Sequence, residues 1–208
     1  MIIGVVGKAG SGKTLISRYL GEIGYELLTM DNIAKDLHKK PTASTRGEIN
    51  VYVAVAEAFG AEKVLDYQGE IDKAKLGKIV FNSHKAMKRL NRIMLPAIEE
   101  QVRYDIKHLA NNNVVLDGAL LLNSTLKDYC DVILYVDAPR KVRIARLINR
   151  GVSKSVAIKM SEAVNIKKQD ILKSKKPVII INNDGSTNEL MTQISNIVKI
   201  GIQAKIKS

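Results

Sequence analysis

The strongest constraint on this chain is a glycine-rich run near its start, Gly7-Lys8-Ala9-Gly10-Ser11-Gly12-Lys13-Thr14. It fits the phosphate-binding pattern G-x-x-x-x-G-K-[ST]. A short apolar run, Met1 to Val6, precedes it, and apolar residues at helical spacing follow it. These flanks predict a strand, a glycine loop and a helix in succession, the context in which the pattern binds phosphate. A chance match in a glycine-rich turn is the alternative, and the flanks argue against it.

A loop of this kind (P-loop) binds a nucleoside triphosphate through its backbone. Glycines let N–H groups converge on an anion, and the positive end of the following helix adds to the attraction. Lys13 would reach the outer phosphates, and the Thr14 hydroxyl would bind Mg²⁺. We expect the nucleotide to contact the residues of this loop and the first turn of its helix, namely Gly7, Ala9, Gly10, Ser11, Gly12, Lys13, Thr14 and Leu15.

Beyond the loop, apolar runs alternate with helical patterns, which is typical of a parallel sheet covered by helices. The sequence predicts a three-layer α/β fold with five parallel strands, at Ile2 to Val6, Tyr25 to Leu28, Val114 to Leu116, Val132 to Val136 and Val178 to Ile181. Residues 39–112 have a helical pattern and predict an insertion, with residues 1–38 and 113–208 as the core. Pro96 interrupts an apolar stripe in this insertion and predicts either a kink or two helices that meet there.

Composition restricts the setting of such a site. No apolar stretch approaches the roughly 20 residues of a membrane span, and we expect a soluble, cytoplasmic protein without a membrane partner. Cys130 is the only cysteine, which excludes an intrachain disulfide and predicts a buried thiol beside a strand. The net charge of +12 is spread over most segments, and the lysine runs at 167–168, 173–176 and 205–207 lack aromatic neighbours that could stack on bases. A solvated basic surface is therefore favoured over nucleic-acid binding.

Residues just beyond the strands of a parallel sheet meet at one edge, where ligands bind. Asp117 follows the third predicted strand and either holds Mg²⁺ or caps a turn. Asp31 follows the second and either accepts a proton from an attacking hydroxyl or caps a helix that starts at Asn32. Asn183-Asp184-Gly185 follows the fifth, and its spacing alone indicates a turn.

Four arginines after Pro139 share one face of a predicted helix: Arg140, Arg143, Arg146 and Arg150. Apolar residues, Val142, Ala145 and Ile148, mark the opposite face. We expect Arg140 and Arg143 on a solvated basic surface, and Arg146 and Arg150 at the phosphates, because guanidinium groups match phosphate oxygens. Gly151 and the polar stretch Ser153 to Ser155 favour a mobile lid over about residues 139–165.

Several short segments, in this order and separation, give the chain a resemblance to the dephospho-coenzyme A kinases over nearly its whole length. They are the P-loop, Asp31-Asn32-Ile33-Ala34, Gly69-Glu70-Ile71-Asp72, Asp117 with Leu120-Leu121, Arg146 with Arg150, and Asn183-Asp184-Gly185-Ser186. The resemblance implies a nucleoside-monophosphate-kinase-like fold with a core, a lid and a helical region that receives the coenzyme A precursor. It also implies ATP-dependent phosphorylation of the ribose 3′-hydroxyl of dephospho-coenzyme A.

The resemblance further implies a role for each matching residue. Lys13, Asp31 and Arg146 would serve catalysis, with Asp31 near the accepting hydroxyl. Thr14 and Asp117 would hold Mg²⁺. Arg146, Arg150, Asn183 and Gly185 would bind ATP, the last two near adenine. The chain departs from the family pattern mainly on the acceptor side, at Thr29, Leu95, Ala119 and Asn123. At Thr29, two positions before Asp31, the family usually has a second aspartate. The chain also has Arg143 where a glutamine is usual.

Two other functions fit the same phosphate-binding residues. One is a small P-loop kinase that acts on a nucleoside or a nucleoside monophosphate. The other is a nucleotide-dependent regulatory protein that binds nucleic acid. The acceptor distinguishes the kinases from each other, and salt-dependent nucleic-acid binding without a phosphorylated product would indicate the regulatory protein. The oligomeric state cannot be read from the sequence.

Overall fold

The structure is a computed structural model that describes residues 1–39, 50–110, 112–162 and 175–206, with side chains as far as residue 199. The strands are β1 (Ile2–Gly7), β2 (Glu26–Thr29), β3 (Val114–Asp117), β4 (Val132–Asp137) and β5 (Val178–Asn182). The α-helices are α1 (Lys13–Glu22), α2 (Met30–Leu37), α3 (Val51–Phe59), α4 (Ala61–Val64), α5 (Lys73–Phe81), α6 (His84–His108), α7 (Arg140–Asn149), α8 (Lys154–Glu162) and α9 (Thr187–Ile206). Two 3₁₀ helices, Leu121–Asn123 and Thr125–Tyr129, connect β3 to β4.

All five strands are parallel and lie in the order β2-β3-β1-β4-β5. This confirms the predicted α/β fold, and each strand begins and ends within one residue of its predicted limits. The connection that leaves β1 runs towards β2, whereas the one that leaves β3 runs towards β4. The carboxyl ends of β1 and β3 therefore form a topological switch point, where open α/β sheets bind ligands.

Strand periodicity explains how the sheet is covered. Alternate strand residues point to opposite faces, and Ile3, Val5, Val115 and Leu134 are buried on one face in a cluster with residues of α1 and α9, including Ile16 and Ile194. On the other face, a Cβ atom at Gly4 would lie 2.8 Å from Leu121 Cδ2 and 2.9 Å from Cys130 Sγ. Glycine is needed there because the 3₁₀ segment packs directly against β1.

The chain forms two compact units, one of residues 1–29 with 110–208 and the other of residues 30–109. We call them the core unit and the helical unit. The sequence-based division placed residues 30–38 with the core, whereas the structure groups α2 with the helical unit because α2 packs against α6. None of the described helices has an apolar stretch that could cross a membrane.

Within the helical unit, α6 runs without interruption from His84 to His108 and contains Pro96. The expectation that two helices meet at this proline is therefore wrong. Burial of Met94, Ile98 and Val102 on one side of α6 supplies the packing that offsets the backbone hydrogen bond lost at the proline. The Ser83 side chain caps the helix by accepting a hydrogen bond from the Ala86 N–H at 3.2 Å.

The Cys130 thiol is expected to be unreactive in the folded protein. It is fully buried, as the sequence predicted, and burial raises its pKa to about 12. Because its ordinary pKa is 9.0, the reactive thiolate is roughly a thousandfold scarcer than in an exposed cysteine. Titration with an aromatic disulfide reagent at pH 8 should label the thiol only after denaturant is added. Rapid labelling of the native protein would contradict this burial.

Candidate nucleotide-binding site

The P-loop follows β1 and ends in the first turn of α1. Gly10 and Gly12 have positive φ values of 78° and 104°, and Gly12 is the N-cap residue of α1. The Ser11 N–H donates to the Lys8 carbonyl at 3.1 Å, which closes a tight turn within the loop. Beyond that turn, Lys13 is half-buried, and Thr14 and Leu15 are exposed on the first turn of the helix. The loop therefore has the strand-loop-helix geometry that its sequence predicted.

Two later segments of the core unit pack directly onto this loop. A Cβ atom at Gly10 would lie 2.5 Å from the Arg143 backbone carbonyl, so that only glycine allows α7 to approach here. A Cβ atom at Gly12 would collide with the side-chain nitrogen of Asn183. These two glycines thus serve the packing of α7 and of the segment after β5, as well as the backbone turn.

Arg143 is buried, with only 5% of its surface exposed. Its Nε donates to the Ala138 carbonyl at 3.1 Å, and its Nη1 to the Ser161 carbonyl at 2.8 Å and the Ala9 carbonyl at 3.5 Å. The expectation of a solvated Arg143 is therefore wrong, because the middle of the arginine face of α7, at Arg143 and Arg146, packs against the P-loop. The opposite face, with Ala145 and Ile148, is exposed.

The other arginines of α7 differ in their surroundings. Arg140 is exposed and pairs with Glu162 at 2.6 Å, as expected for a surface arginine. Arg146 is half-buried beside the P-loop, where its Nη1 donates to the Ser11 carbonyl and its Nη2 to Asn183 Oδ1, both at 3.4 Å. Arg150 is exposed at the end of α7. Of the two arginines predicted to bind phosphate, the structure thus brings Arg146 to the loop.

Asn183 is 5% exposed and lies just after β5. Its Nδ2 donates to the Ser11 carbonyl at 2.7 Å, and its backbone N–H donates to the Asp137 carbonyl at 2.8 Å. The neighbouring Gly185 is exposed before α9, where Ser186 and Glu189 bond reciprocally in a capping box. The segment predicted to lie near adenine therefore packs against the P-loop through Asn183.

Asp117 ends β3 and is 7% exposed. Its Oδ2 accepts a hydrogen bond from Ser17 Oγ at 2.8 Å. Ser17 lies one helical turn after Thr14 on the same face of α1, so this bond fixes the carboxylate beside the side of the helix that carries Thr14. Ser17 was not singled out from the sequence, although its spacing from Thr14 contained the signal.

Hydroxyl and carboxylate oxygens are the donors that Mg²⁺ prefers, and this ion usually keeps several waters and binds few protein ligands. Thr14 and Asp117 supply those donors at the carboxyl edge of the sheet. Among the described residues there is no cluster of three or more metal-ligating side chains. The residues present thus fit Mg²⁺ held jointly with phosphate better than a metal held by protein alone.

A pocket of about 450 Å³ lies beside the P-loop in the core unit. It is formed by the segment after β4, the start of α7 and the segment after β5, and its lining residues are Asp137, Ala138, Pro139, Arg140, Arg143, Asn182 and Asp184. The pocket shares Arg143 with the packing around Ala9 and therefore adjoins the phosphate loop. Its carboxylates and backbone groups offer hydrogen-bond partners for a flat polar ring.

Asp31 belongs to the helical unit and is exposed in the first turn of α2, which begins at Met30. Since it is the second residue of the helix, the expectation that it caps a helix starting at Asn32 is wrong. Its side chain lies in the first turn of the helix, where an acidic residue interacts favourably with the helix dipole.

Replacing Gly10 with alanine should disrupt the loop. The new Cβ would meet the Arg143 carbonyl, and alanine disfavours the positive φ, so we expect a loss of about 1–3 kcal/mol in the free energy of unfolding and weaker ADP binding. Gly21→Ala is the control, since nothing lies within 4 Å of its Cβ position in α1. That change should stabilise the protein by about 0.5–1 kcal/mol. Urea unfolding measures the change in stability, and ADP titration measures the change in affinity. Equal stability of the two variants would contradict the close packing of α7 against Gly10.

Comparison with known proteins places this site in a family. The dephospho-CoA kinase family model matches residues 1–189. A dephospho-CoA kinase of Carboxydothermus hydrogenoformans is 33% identical over 204 residues, which cover 95% of this chain and 93% of the relative. One of Fusobacterium nucleatum is 30% identical over 195 residues, with 93% and 95% covered.

Solved structures show the same fold. A Thermus thermophilus protein superposes with a TM-score of 0.72 at 23% identity, covering 96% of each chain. The dephospho-CoA kinase of Campylobacter jejuni gives a TM-score of 0.57 at 17% identity, covering 95% of each. A deoxyadenosine kinase of M. mycoides with bound dATP gives 0.53 at 15% identity, covering 96% of this chain and all of the other. The P-loop fold and the match along nearly the whole chain agree: this protein belongs to the dephospho-CoA kinase family.

Proposed function

We propose that the protein transfers the γ-phosphoryl group of Mg·ATP to the ribose 3′-hydroxyl of dephospho-coenzyme A, the last step of coenzyme A synthesis. The observation that carries the proposal is the family match over residues 1–189, which spans both the core unit and the helical unit. Relatives of similar length that are named dephospho-CoA kinase support it. Phosphoryl transfer needs little covalent chemistry from the protein, so positioning and charge stabilisation are the tasks its residues must perform.

The P-loop would hold the β- and γ-phosphates. Its amides supply neutral hydrogen-bond donors. The Lys13 ammonium supplies a positive charge that would stabilise the negative charge on the phosphates in the transition state. Arg146 lies beside the same loop and would stabilise that charge from the α7 side. Arg150, at the exposed end of α7, would reach the phosphates as part of a lid over about residues 139–165. The residues of that lid beyond 162 lie outside the described part of the chain.

Mg²⁺ would be held by Thr14 and Asp117 and would supply positive charge that neutralises part of the charge of the phosphates. The hydrogen bond from Ser17 keeps the Asp117 carboxylate in one orientation for this purpose. The adenine ring of ATP would occupy the pocket beside the P-loop, between the segments that follow β4 and β5. Asn183 and Gly185 border that position from the β5 side.

Asp31 would act on the acceptor. Its exposed carboxylate would take the proton of the 3′-hydroxyl as the oxygen attacks phosphorus, and the helical unit would bind the rest of the acceptor. Closure of the lid would exclude water, which otherwise competes as the acceptor. A basic chain with a net charge of +12 also suits two polyanionic substrates.

The acceptor-side departures favour one second candidate, a kinase of the same type with a different nucleotide-like acceptor. Thr29, Leu95, Ala119 and Asn123 differ from the family pattern, whereas the P-loop keeps its pattern in full. Thr29 lies in register with Asp117 at the carboxyl edge of the sheet. A hydroxyl there in place of a carboxylate changes the charge at the edge where the attacking group and the phosphate meet.

The proposal predicts that dephospho-coenzyme A is phosphorylated. ADP release should be measured with Mg·ATP and a panel of dephospho-coenzyme A, AMP, CMP and adenosine, with product masses checked. A gain of one phosphoryl group on dephospho-coenzyme A alone is the expected result. Turnover with another acceptor alone would establish the second candidate instead. Hydrolysis without any phosphorylated acceptor, together with salt-dependent binding of RNA or DNA, would indicate a regulatory protein.

Replacing Asp31 with asparagine should lower kcat by about 10²–10⁴-fold, because the amide cannot accept the hydroxyl proton. The KM for ATP should stay within about twofold, since Asp31 lies outside the P-loop and the pocket. Asp36→Asn is the matched control, because Asp36 is an exposed carboxylate on the same helix that pairs only with Lys39 among the described residues. Steady-state kinetics on both variants decide the matter. An equal fall in ATP binding and turnover would show that Asp31 is structural.

A further inference from the structure

Two carbonyl oxygens of the P-loop are held from outside the loop. The Ala9 carbonyl accepts a hydrogen bond from Arg143 Nη1 at 3.5 Å. The Ser11 carbonyl accepts one from Asn183 Nδ2 at 2.7 Å and a longer one from Arg146 Nη1 at 3.4 Å. The donors come from α7 and from the segment after β5. Two alternate peptide groups of the loop are therefore hydrogen-bonded to parts of the core unit that are distant in the sequence.

Because each peptide group is planar, fixing its carbonyl oxygen also fixes the direction of its N–H group. In a trans peptide the carbonyl of one residue and the N–H of the next point in opposite directions. Holding the Ala9 and Ser11 carbonyls against α7 and Asn183 therefore turns the Gly10 and Gly12 N–H groups to the other side of the loop. Neither amide has an acceptor among the residues that the structure describes. These are the donors that a phosphate would use.

The orientation of the Gly10 and Gly12 amides depends on the residues that pack around the loop. Gly10 and Gly12 populate many backbone conformations when unrestrained, so the loop sequence alone does not fix their amides. The donors, in contrast, are rigid. Asn183 is buried and uses its side-chain oxygen to accept from Arg146 and its backbone N–H to bond to Asp137. Arg143 is buried and bonded also to Ala138 and Ser161.

We propose that Asn183 and Arg143 are positioning residues that preorganise the phosphate-binding amides by fixing the Ser11 and Ala9 carbonyls. They act on the phosphates of the nucleotide by orienting the amides of the loop. This inference rests on the proposed nucleotide-binding function of the P-loop, and not on the identity of the acceptor. It gives a role to Arg143, which stands where the family usually has glutamine, and it explains why both side chains are buried against the loop.

Asn183→Asp is the most direct test, because it keeps the acceptor for Arg146 and removes the donor to Ser11. Asn183→Ala removes the donor without adding charge, and Arg143→Met removes the donors to Ala9. Asn188→Asp and Arg18→Met are matched controls, since both residues are exposed in the core unit and neither is hydrogen-bonded to the P-loop in the described part of the chain. Binding of ADP and of inorganic pyrophosphate should be titrated, and the Gly10 and Gly12 amide resonances followed by NMR.

The expected result is that Asn183→Ala weakens ADP and pyrophosphate by the same factor of about tenfold, the effect of one hydrogen bond, and that Asn183→Asp and Arg143→Met also weaken both ligands. Amide shifts of Gly10 and Gly12 should change in the free protein, while the controls match the wild type. Weaker ADP binding with unchanged pyrophosphate binding would show that Asn183 contacts the base. Unchanged amide shifts would show that the loop keeps its conformation without Asn183 or Arg143. Either outcome overturns the proposal. If one variant does not fold, the other two measure the same quantities. ADP binding without any acceptor activity would refute the proposed function alone.

Discussion

The approach of α7 to Gly10 is the contact on which the rest of the site depends. Because Gly10 has no side chain, the Arg143 backbone can lie against the loop, and that approach carries the Arg143 and Arg146 side chains to the Ala9 and Ser11 carbonyls. Those contacts join residues 134 and 135 positions apart in the sequence. Asn183 adds a contact from 172 positions away. The loop thus has its shape only when the sheet has assembled and brought both segments to its edge.

Electrostatics reinforce the geometry. The Arg143 guanidinium is buried, and within the described part of the chain its partners are neutral carbonyl oxygens instead of a carboxylate. Burying a charge in this way is costly unless polar groups surround it, and a bound phosphate nearby would offset part of that cost. The Asp117 carboxylate, by contrast, is held by the neutral Ser17 hydroxyl and suits a cation. In the proposed complex, the core unit would present positive charge from α7 to the phosphates and negative charge from β3 to the metal.

Sequence patterns predicted the parts of this arrangement that depend on local order. Strand limits came within one residue because the strands other than β2 are mostly apolar runs that end in a polar residue or glycine, and the P-loop was recognisable from eight consecutive residues. The errors have a common cause. Helical spacing showed that the arginines of α7 share a face, but not that Arg143 is buried, because one of its carbonyl acceptors, that of Ala9, lies on a loop distant in the sequence. Helix α6 likewise continues through Pro96, because its packing within the helical unit offsets the one backbone hydrogen bond that the proline removes.

The division into two units separates the chemistry of donor and acceptor. Arg143 and Asn183, which hydrogen-bond to the P-loop, belong to the core unit. Asp117, the carboxylate proposed to hold the metal, belongs to it as well. Asp31 belongs to the helical unit, although only one residue separates it from the end of β2. With Thr29 in place of the family's second aspartate, the edge of β2 carries no carboxylate beside Asp117. In the proposed reaction, acid-base chemistry on the acceptor would rest on Asp31, a side chain of the unit proposed to bind the acceptor. Departures on that side would then alter the substrate while the phosphate-binding loop stays unchanged.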